Sequence, residues 1–240
     1  MNKLASIITS VYNSADQIEG LLKDVRRQTL FDICEWILVD AASPQNEFDL
    51  IKPFADQHEN VTLHKLDEDK GVYDTWNYAI KNSTAPYITN WNCDDRRAPW
   101  ALERQIETLN ENPSVGLVYN IILETPRPNE TFELNTSQSV WPCLSFSKEN
   151  LYRINSPHNS PMWRRSLHDD FGYFSTEYKS ASDYDMWVRT VLGGTKFLKI
   201  NEPLSLYYRS PHGVSTNSAD LEQNNADFEE IRQRLIGEQK

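Results

Sequence analysis

Two adjacent carboxylates, Asp94 and Asp95, directly follow a stretch of β-branched and aromatic residues at 86–91. Neighbouring negative charges repel each other, so the pair is stable only when it is solvated or neutralised by a cation. A hard divalent metal ion takes one or two carboxylates and completes its coordination with substrate phosphates. The pair therefore predicts a divalent metal site, with a solvated acidic turn as the alternative.

Two other carboxylates stand where an element ends or begins. Asp40 closes the apolar run WILVD, and Asp183 opens the stretch SDYDMWVRTVLGG. In that stretch Tyr184, Trp187 and Val191 share one helix face. A carboxylate at a helix N-terminus is stabilised by free N–H groups and by the helix dipole. Each of the two is therefore either a plain cap or a functional group.

The elements between these carboxylates alternate between strand and helix. The apolar runs that predict strands are 5–11, 36–40, 61–64, 86–91, 115–123 and, late in the chain, 204–209. Helical patterns separate them, and a candidate capping box of Ser14 and Gln17 opens the first helix. Short apolar strands that alternate with helices predict an α/β fold with a mostly parallel central sheet and helices on both faces.

In an open sheet of this kind, ligands bind beyond the carboxyl ends of the strands. That rule gathers Tyr12, Asn13, Asp40 and Asp94 at one edge of the sheet. From residue 124 to 160 the pattern gives way to Pro, Asn, Ser and Thr with scattered aromatics. This composition predicts long loops that lie over the same edge.

The charge balance limits the class of partner. The 240 residues carry a formal net charge of -11, from 24 Lys and Arg against 35 Asp and Glu. A field of this sign repels phosphate backbones, so no nucleic-acid partner is expected. The three cysteines form no metal or redox motif, which favours a reduced cytoplasmic location. No run reaches the ~20 apolar residues of a membrane span, and peripheral contact with the inner face of the membrane stays open.

The segment GVYDTWNYAI, followed by YITNWNCDD, resembles the matching segment of bacterial family-two glycosyltransferases. In that family a helix and a strand lead to an acidic metal-binding motif, and the similarity here runs from Ser6 to about Ser215. It implies a GT-A fold, a Mn²⁺ or Mg²⁺ cofactor and a nucleotide diphosphate sugar donor, most often uridine-based. We expect one such domain over 1–240, with a nucleotide-sugar half at about 1–123, an acceptor half at about 124–216 and a helical tail at 217–240.

The resemblance also assigns roles to individual residues. Thr9, Tyr12 and Asp40 match the residues that contact the nucleotide base, and Asn92 is grouped with these nucleotide-binding residues. Asp94 matches the metal ligand.

The remaining assignments concern the transfer step. Asp183 matches the catalytic base of an inverting mechanism, in which an acceptor hydroxyl loses its proton as it displaces the nucleotide diphosphate. Asp95, Arg209 and His212 fall near the metal and the diphosphate. The implied acceptor is a hydroxyl of a glycan or of a lipid-linked molecule, in the synthesis of a surface polysaccharide.

The chain departs from the family pattern at three positions. Ala41 replaces a carboxylate, Ala42 replaces a glycine that tolerates a positive φ, and Asn92 stands where relatives often have aspartate. These departures leave two alternatives open. One is a nucleotidyltransferase, although SVYNSADQ offers no Gly-rich basic phosphate loop. The other is a non-catalytic protein that binds a nucleotide sugar or a carbohydrate.

Overall fold

The computed structural model of the chain describes residues 3–211, 213 and 221–237. The strands are β1 (Ala5–Val11), β2 (Glu35–Asp40), β3 (Val61–Lys65), β4 (Tyr87–Asn90), β5 (Arg96–Arg97), β6 (Val115–Thr125), β7 (Ser139–Val140), β8 (Met162–Arg164) and β9 (Lys196–Tyr208). The helices are α1 (Ala15–Arg26), α2 (Glu47–Ala55), α3 (Val72–Lys81), α4 (Ala101–Glu111), α5 (Lys148–Arg153), α6 (Leu167–Phe171), α7 (Ser182–Leu192) and α8 (Leu221–Gly237). None of the described helices offers the apolar length that a membrane crossing requires.

The strands form one sheet in the order β3-β2-β1-β4-β8-β6-β9-β5, and β7 pairs with β6 outside that path. The pairs β1 with β2, β1 with β4, β2 with β3 and β6 with β9 are parallel. Because β8 is antiparallel to both β4 and β6, strands β6 and β9 run in the same direction as β1 to β4. The prediction of a mostly parallel sheet is confirmed, and six strands end at one common edge.

Helices cover both faces of the sheet, as predicted. One core layer packs α1 and α4 against the sheet through side chains such as Leu21 and Leu102. The second layer packs α3, α7 and α8 through Trp76, Trp187 and Ile231. Burial of large apolar side chains on both faces explains why the strands of this sheet are continuous apolar runs.

The structure corrects the predicted boundaries in the second half of the chain. β9 begins at Lys196, well before the predicted start at Leu204, because the polar stretch KFLKINEP is paired along its length with β6. The 124–160 region was predicted to be loops, but it contains β7 and α5. These elements and β8 are too short to leave a periodic signal in the sequence.

The predicted capping box at the start of α1 is wrong. Ser14 occupies the N-cap position, but its side chain caps no helix N–H and its hydroxyl donates to the Tyr12 carbonyl at 2.8 Å. Its backbone N–H instead donates to Oε1 of the buried Glu47 at 2.6 Å. A carboxylate from the start of α2 therefore fixes the turn between β1 and α1.

Candidate active site

The first strands bring Asp40 and the acidic tip, residues 92–95, to one edge of the sheet. Val11 is paired with Asp40 across β1 and β2, and Ile8 is paired with Asn90 across β1 and β4. The Cys93 thiol donates to the Ser10 carbonyl at 3.5 Å. The tip is therefore fastened to the end of β1, beside the end of β2, as the sequence predicted for this edge.

Two residues at the end of β1 differ in what they can reach. Tyr12 is 42% exposed at the edge, where its ring is free to contact a ligand. Thr9 is fully buried, and its hydroxyl accepts a hydrogen bond from Trp36 Nε1 at 3.0 Å. The hydroxyl of Thr9 is therefore engaged inside the core, and its contact with a nucleotide base stays a prediction. The pleat of β1 turns Ser10, a half-buried residue that the sequence did not single out, toward the opposite face.

Only one of the two carboxylate oxygens of Asp40 is hydrogen-bonded to the turn that follows β2. Oδ1 accepts from the Ser43 N–H at 2.7 Å, which is the capping role considered for it. Oδ2 is buried and has no hydrogen-bond partner among the described residues. Ala42 adopts the left-handed conformation, with a φ of 56°, so the turn keeps the shape that a glycine would favour. Asp40 thus retains a free acceptor at the edge.

The acidic tip holds two carboxylates whose environments favour neutralisation. Asp95 is 2% exposed, and its Oδ2 accepts from Asn92 Nδ2 at 2.9 Å while Oδ1 has no partner in the described part of the chain. Burial, and then the charge of Asp94, raise the pKa of Asp95 to about 8. Burial also raises the pKa of Asp94, which is the less enclosed of the two.

These features fit a divalent cation at the tip. A cation beside Asp94 would remove the repulsion within the pair and give the orphaned oxygen of Asp95 a positive neighbour. Within residues 3–211, 213 and 221–237, no group of three or more His, Cys, Asp or Glu side chains is placed to hold a metal by itself. An ion held by these two carboxylates would keep coordination positions for water or for the oxygens of a diphosphate.

Two buried arginines support the tip from behind. Arg96 donates to the carbonyl oxygens of Cys93 at 2.8 Å and of Asp95 at 2.7 Å. Arg97 lies over the ring of Trp91, with its guanidinium carbon 4.4 Å from the ring centroid, and donates to Thr89 Oγ1 at 2.8 Å. The sequence analysis missed both, and the only signal was their position immediately after the two aspartates.

We expect Gly20→Ala to disturb the tip from inside α1. An added Cβ would lie 2.4 Å from Arg96 Nη2, and Arg96 cannot withdraw without losing its bonds to the tip carbonyls. Overpacking costs about 1–3 kcal/mol. This exceeds the roughly 0.5–1 kcal/mol by which alanine is favoured over glycine inside a helix. Thermal denaturation should show a lower Tm and a smaller rise on adding Mn²⁺.

The control for this variant is Gly237→Ala, since a Cβ there would meet nothing within 4 Å. It should leave both the Tm and the response to Mn²⁺ near those of the unaltered chain. A stabilised Gly20→Ala variant with a full Mn²⁺ response would contradict the supporting role of Arg96.

Asp183 is held by hydrogen bonds from two other parts of the fold. Oδ1 accepts from the Tyr73 hydroxyl at 3.1 Å, and Oδ2 accepts from Asn155 Nδ2 at 2.8 Å. Burial raises the pKa of Asp183, and these hydrogen bonds oppose that rise. The N-cap of α7 is Ala181, so Asp183 is not the plain cap considered as its alternative role.

Asp185 has separate partners. It forms ion pairs with Arg189 at 2.8 Å and with Arg234 at 2.5 Å, so it ties α7 to α8. Asp183 and Asp185 therefore do not share partners as one dyad would.

The segment 155–159 links Asp183 to the acidic tip. Asn155 at one end donates to Asp183. At the other end Asn159 accepts from Asn90 Nδ2 at 3.1 Å through its carbonyl, and its side chain lies near enough to Asp95 to lower the pKa of that carboxyl. Four residues span at most about 14 Å, so the segment keeps the partner of Asp183 and the neighbour of Asp95 within that distance along the chain. The sequence did not identify either asparagine.

Arg209 and His212 were also predicted to lie near the metal and the diphosphate. Arg209 is exposed, with its Nε 3.8 Å from Glu124 Oε1, just beyond the end of β9. It follows the part of β9 in which Leu206 is paired with Arg96, so it lies toward the tip. His212 lies outside the described residues. His168 packs inside the core, where it accepts from Trp163 Nε1 at 2.9 Å.

Chemically, the candidate site offers the exposed ring of Tyr12 and the free Oδ2 acceptor of Asp40. It also contains the Asp94 and Asp95 pair, which fits a cation, and the separate, hydrogen-bonded carboxylate of Asp183. A ring and an acceptor suit a nucleotide base, and a cation suits a diphosphate. The separate carboxylate can take a proton.

Comparison with known proteins shows the family to which the chain belongs. The chain matches the model described as "Glycosyl transferase family 2" over residues 6–179. A PGL/p-HBAD biosynthesis glycosyltransferase of Mycobacterium bovis (strain BCG / Pasteur 1173P2) is 24% identical over 219 residues, which make up 90% of this chain and 81% of that protein.

Two solved structures share the fold. S. aureus TarS 1-349 in complex with UDP-GlcNAc superposes with a TM-score of 0.78 at 16% identity, over 98% of this chain and 71% of that one. In its complex with UDP, the chain covers 66% of TarS. The mannosyltransferase PcManGT from Pyrobaculum calidifontis, in complex with GDP-Man and Mn2+, has a TM-score of 0.71 at 19% identity, over 98% of this chain and 69% of that one. The chain belongs to glycosyl transferase family 2, and it is a glycosyltransferase with the GT-A fold.

Proposed function

We propose that the chain is a metal-dependent inverting glycosyltransferase that moves a sugar from a UDP-sugar to a hydroxyl of a glycan or lipid-linked acceptor, in surface polysaccharide synthesis. The observations that support the proposal are the placement of Asp40 and the tip at one edge of the sheet, and segment 155–159, which runs from the partner of Asp183 to a hydrogen bond with β4. The family favours this reaction over nucleotidyl transfer.

The nucleotide base is assigned to the ends of β1 and β2. The exposed ring of Tyr12 packs on the base, and the free Oδ2 of Asp40 accepts from a ring N–H. Uracil offers such an N–H beside two carbonyls. The donor in the TarS complex, UDP-GlcNAc, is a uridine diphosphate sugar, which supports the choice of UDP as the probe.

The diphosphate is assigned to the tip. Asp94 holds the ion, Asp95 and Asn92 stabilise the shape of the tip, and Arg209 lies close enough to the edge to meet a phosphate. When bound, Mn²⁺ or Mg²⁺ neutralises the charge that develops on the departing diphosphate. The Mn2+ in the PcManGT complex supports this choice of cofactor.

Asp183 performs the proton transfer. Its carboxylate accepts the proton of the acceptor hydroxyl, and the hydroxyl oxygen forms a bond to the anomeric carbon of the donor. The bond from that carbon to the diphosphate oxygen breaks in the same step, and its electron pair leaves with UDP. Attack from the face opposite to the leaving group inverts the anomeric configuration.

A thermal-shift panel of UDP-, GDP- and CDP-sugars, with and without Mn²⁺, tests the donor class. We expect UDP-sugars to raise the Tm most, and only when Mn²⁺ is present. The UDP-sugar that binds best is then incubated with glycan and lipid-linked acceptors, and product formation is measured. Release of pyrophosphate from a nucleoside triphosphate, with no sugar transfer, would overturn the proposal.

Tyr12→Ala should weaken UDP binding without unfolding the protein. Base stacking on an aromatic side chain contributes about 1–3 kcal/mol, so calorimetry should show a Kd that rises about 10- to 100-fold. Tyr78→Ala is the matched control, because Tyr78 is also exposed, at 36%, but contacts His64 on the outer side of α3. Equal UDP affinity in the two variants would remove Tyr12 from the site.

A further inference from the structure

Asp183 receives hydrogen bonds from two neutral donors that belong to different elements. The Tyr73 hydroxyl comes from α3, and the Asn155 amide comes from segment 155–159. These two side chains contact different carboxylate oxygens, the backbone N–H groups of Asp183 and Tyr184 also act on the carboxylate, and the residue is still only partly buried. This arrangement restrains the carboxylate and still leaves room for an acceptor hydroxyl.

The Tyr73 hydroxyl is rigidly placed. Its ring packs edge-on against Trp76 at a centroid distance of 5.3 Å and in a tilted arrangement against Phe174 at 5.9 Å. Phe174 is itself clamped by Asn77, whose side chain accepts from its N–H at 3.0 Å and donates to its carbonyl at 2.8 Å. The hydroxyl of Tyr73 therefore meets Asp183 without having to be ordered first.

The Asn155 amide is also fixed by its surroundings. Segment 155–159 is tied to β4 by Asn90, and Thr89 Oγ1 donates to the Pro161 carbonyl at 2.7 Å just beyond the segment. Within the described part of the chain, the buried Oδ1 of Asn155 has no hydrogen-bond partner. A buried oxygen without a partner contributes nothing that would hold the side chain in place. The hydrogen bond from the N–H group of Asn155 to Asp183 is therefore the contact that orients this side chain.

The charged groups near Asp183 are engaged with each other. On its own helix, Asp185 pairs with Arg189, and from α8 Arg234 pairs with the same carboxylate. On α6, burial lowers the pKa of His168 to about 4, so that ring is neutral at physiological pH. Asp183 forms no ion pair with any residue in the described ranges, and Tyr73 is the titratable side chain that touches it.

We infer that Tyr73 and Asn155 are positioning residues, which keep the partly buried carboxylate of Asp183 ionised and aim it at the acceptor hydroxyl. The inference rests on the proposed function, in which Asp183 is the base. Burial raises the pKa of Asp183, whereas the hydrogen bonds from Asn155 and Tyr73 lower it. Removal of either donor should therefore raise this pKa further, and a base works only in its ionised form.

The test is the pH dependence of turnover in Tyr73→Phe and Asn155→Ala. UDP released from UDP-N-acetylglucosamine is measured with saturating Mn²⁺, with water as the acceptor that gives its proton to Asp183. In each variant the acid limb of kcat should move to higher pH by about one unit, the shift expected for the loss of one hydrogen bond to a charged group. Above the shifted limb, kcat should recover toward the wild-type value.

Tyr184→Phe is the matched control. Tyr184 lies next to Asp183, is buried, and donates its hydroxyl to the Leu151 carbonyl at 2.8 Å instead of to the carboxylate. It should lose stability without any shift of the acid limb. Asn155→Ala provides a second route if Tyr73→Phe does not fold.

The outcomes separate the two claims. If Asp183→Asn is inactive but both donor variants keep the wild-type acid limb, the positioning role is overturned and the proposed function stands. If Asp183→Asn keeps its turnover, the proposed function itself fails.

Discussion

Asp183→Asn should remove sugar transfer while UDP binding and the response to Mn²⁺ stay intact. An amide cannot take the proton of the acceptor hydroxyl, and loss of a general base lowers the rate by roughly 10²- to 10⁴-fold. The change is nearly isosteric, so Tyr73 can still donate to the remaining oxygen. The rate of transfer and the Kd for UDP should be measured on the same preparation.

The stability of this variant separates lost chemistry from lost folding. Burial raises the pKa of Asp183 above its value in the unfolded chain. Below the unfolded pKa the protonated group therefore favours the folded state. This contribution to the free energy of unfolding is lost as the pH rises through the folded pKa. At pH 7 the ionised group thus lowers stability, and Asp183→Asn should have a Tm at least equal to that of the unaltered chain.

The matched control for Asp183→Asn is Asp169→Asn, which removes an exposed carboxylate from the first turn of α6. It should leave both transfer and UDP binding unchanged. Near-normal transfer by Asp183→Asn, against this control, would contradict its role as the base.

Asp94→Asn is expected to have the other large effect, through the metal ion. The variant should lose the rise in Tm caused by Mn²⁺, together with most of the transfer activity at saturating UDP-sugar. Charge stabilisation by a bound metal ion is worth several kcal/mol, and each 1.36 kcal/mol is a factor of ten in rate, so a loss of about 10³-fold is expected. Thermal shift against Mn²⁺ concentration, followed by rate measurements, provides the check.

The control for the metal variant is Asp49→Asn, in an exposed part of α2 away from the tip. It changes the net charge by the same amount, so it corrects for any general effect of the chain's negative field. An Mn²⁺ response in Asp94→Asn equal to that of Asp49→Asn would show that the ion binds elsewhere.

The sequence predicted the first half of the fold well because each strand there is a short apolar run followed by a periodic helix. It placed Asp40 and Asp94 at a common edge by a general rule of parallel sheets, and the strand register agrees. The second half was harder, since β8 is three residues long and β9 gains its first part only by pairing with β6. Such pairing leaves no local pattern.

The contacts that surround Asp183 could not be predicted from local sequence patterns either, because they join residues that are far apart in the chain. Tyr73 and Asp183 are 110 positions apart, and Asn155 is separated from Asp183 by 28. Family resemblance supplied the role of Asp183 but not its partners. The resemblance also does not specify the pleat of β1, which turns the side chain of Thr9 toward Trp36.

The chain's departures from the family pattern have structural consequences that differ. Ala42 keeps the left-handed conformation expected of the glycine that it replaces, at a φ of 56°. Asn92 uses its amide N–H to hold Asp95, a bond that an aspartate could not donate. The tip therefore keeps its shape with one charge fewer than relatives that have aspartate at this position.

The central claim is that Asp40, Asp94 and Asp183 surround one nucleotide-sugar pocket. A crystal structure of the chain with UDP and Mn²⁺, with data collected at an X-ray energy where manganese scatters anomalously, tests it most directly. We expect an anomalous peak at the Asp94 carboxylate, the uracil ring on Tyr12 with its N–H toward Asp40, and Asp183 facing the diphosphate across the cleft. UDP bound at another face, or manganese away from Asp94, would contradict it.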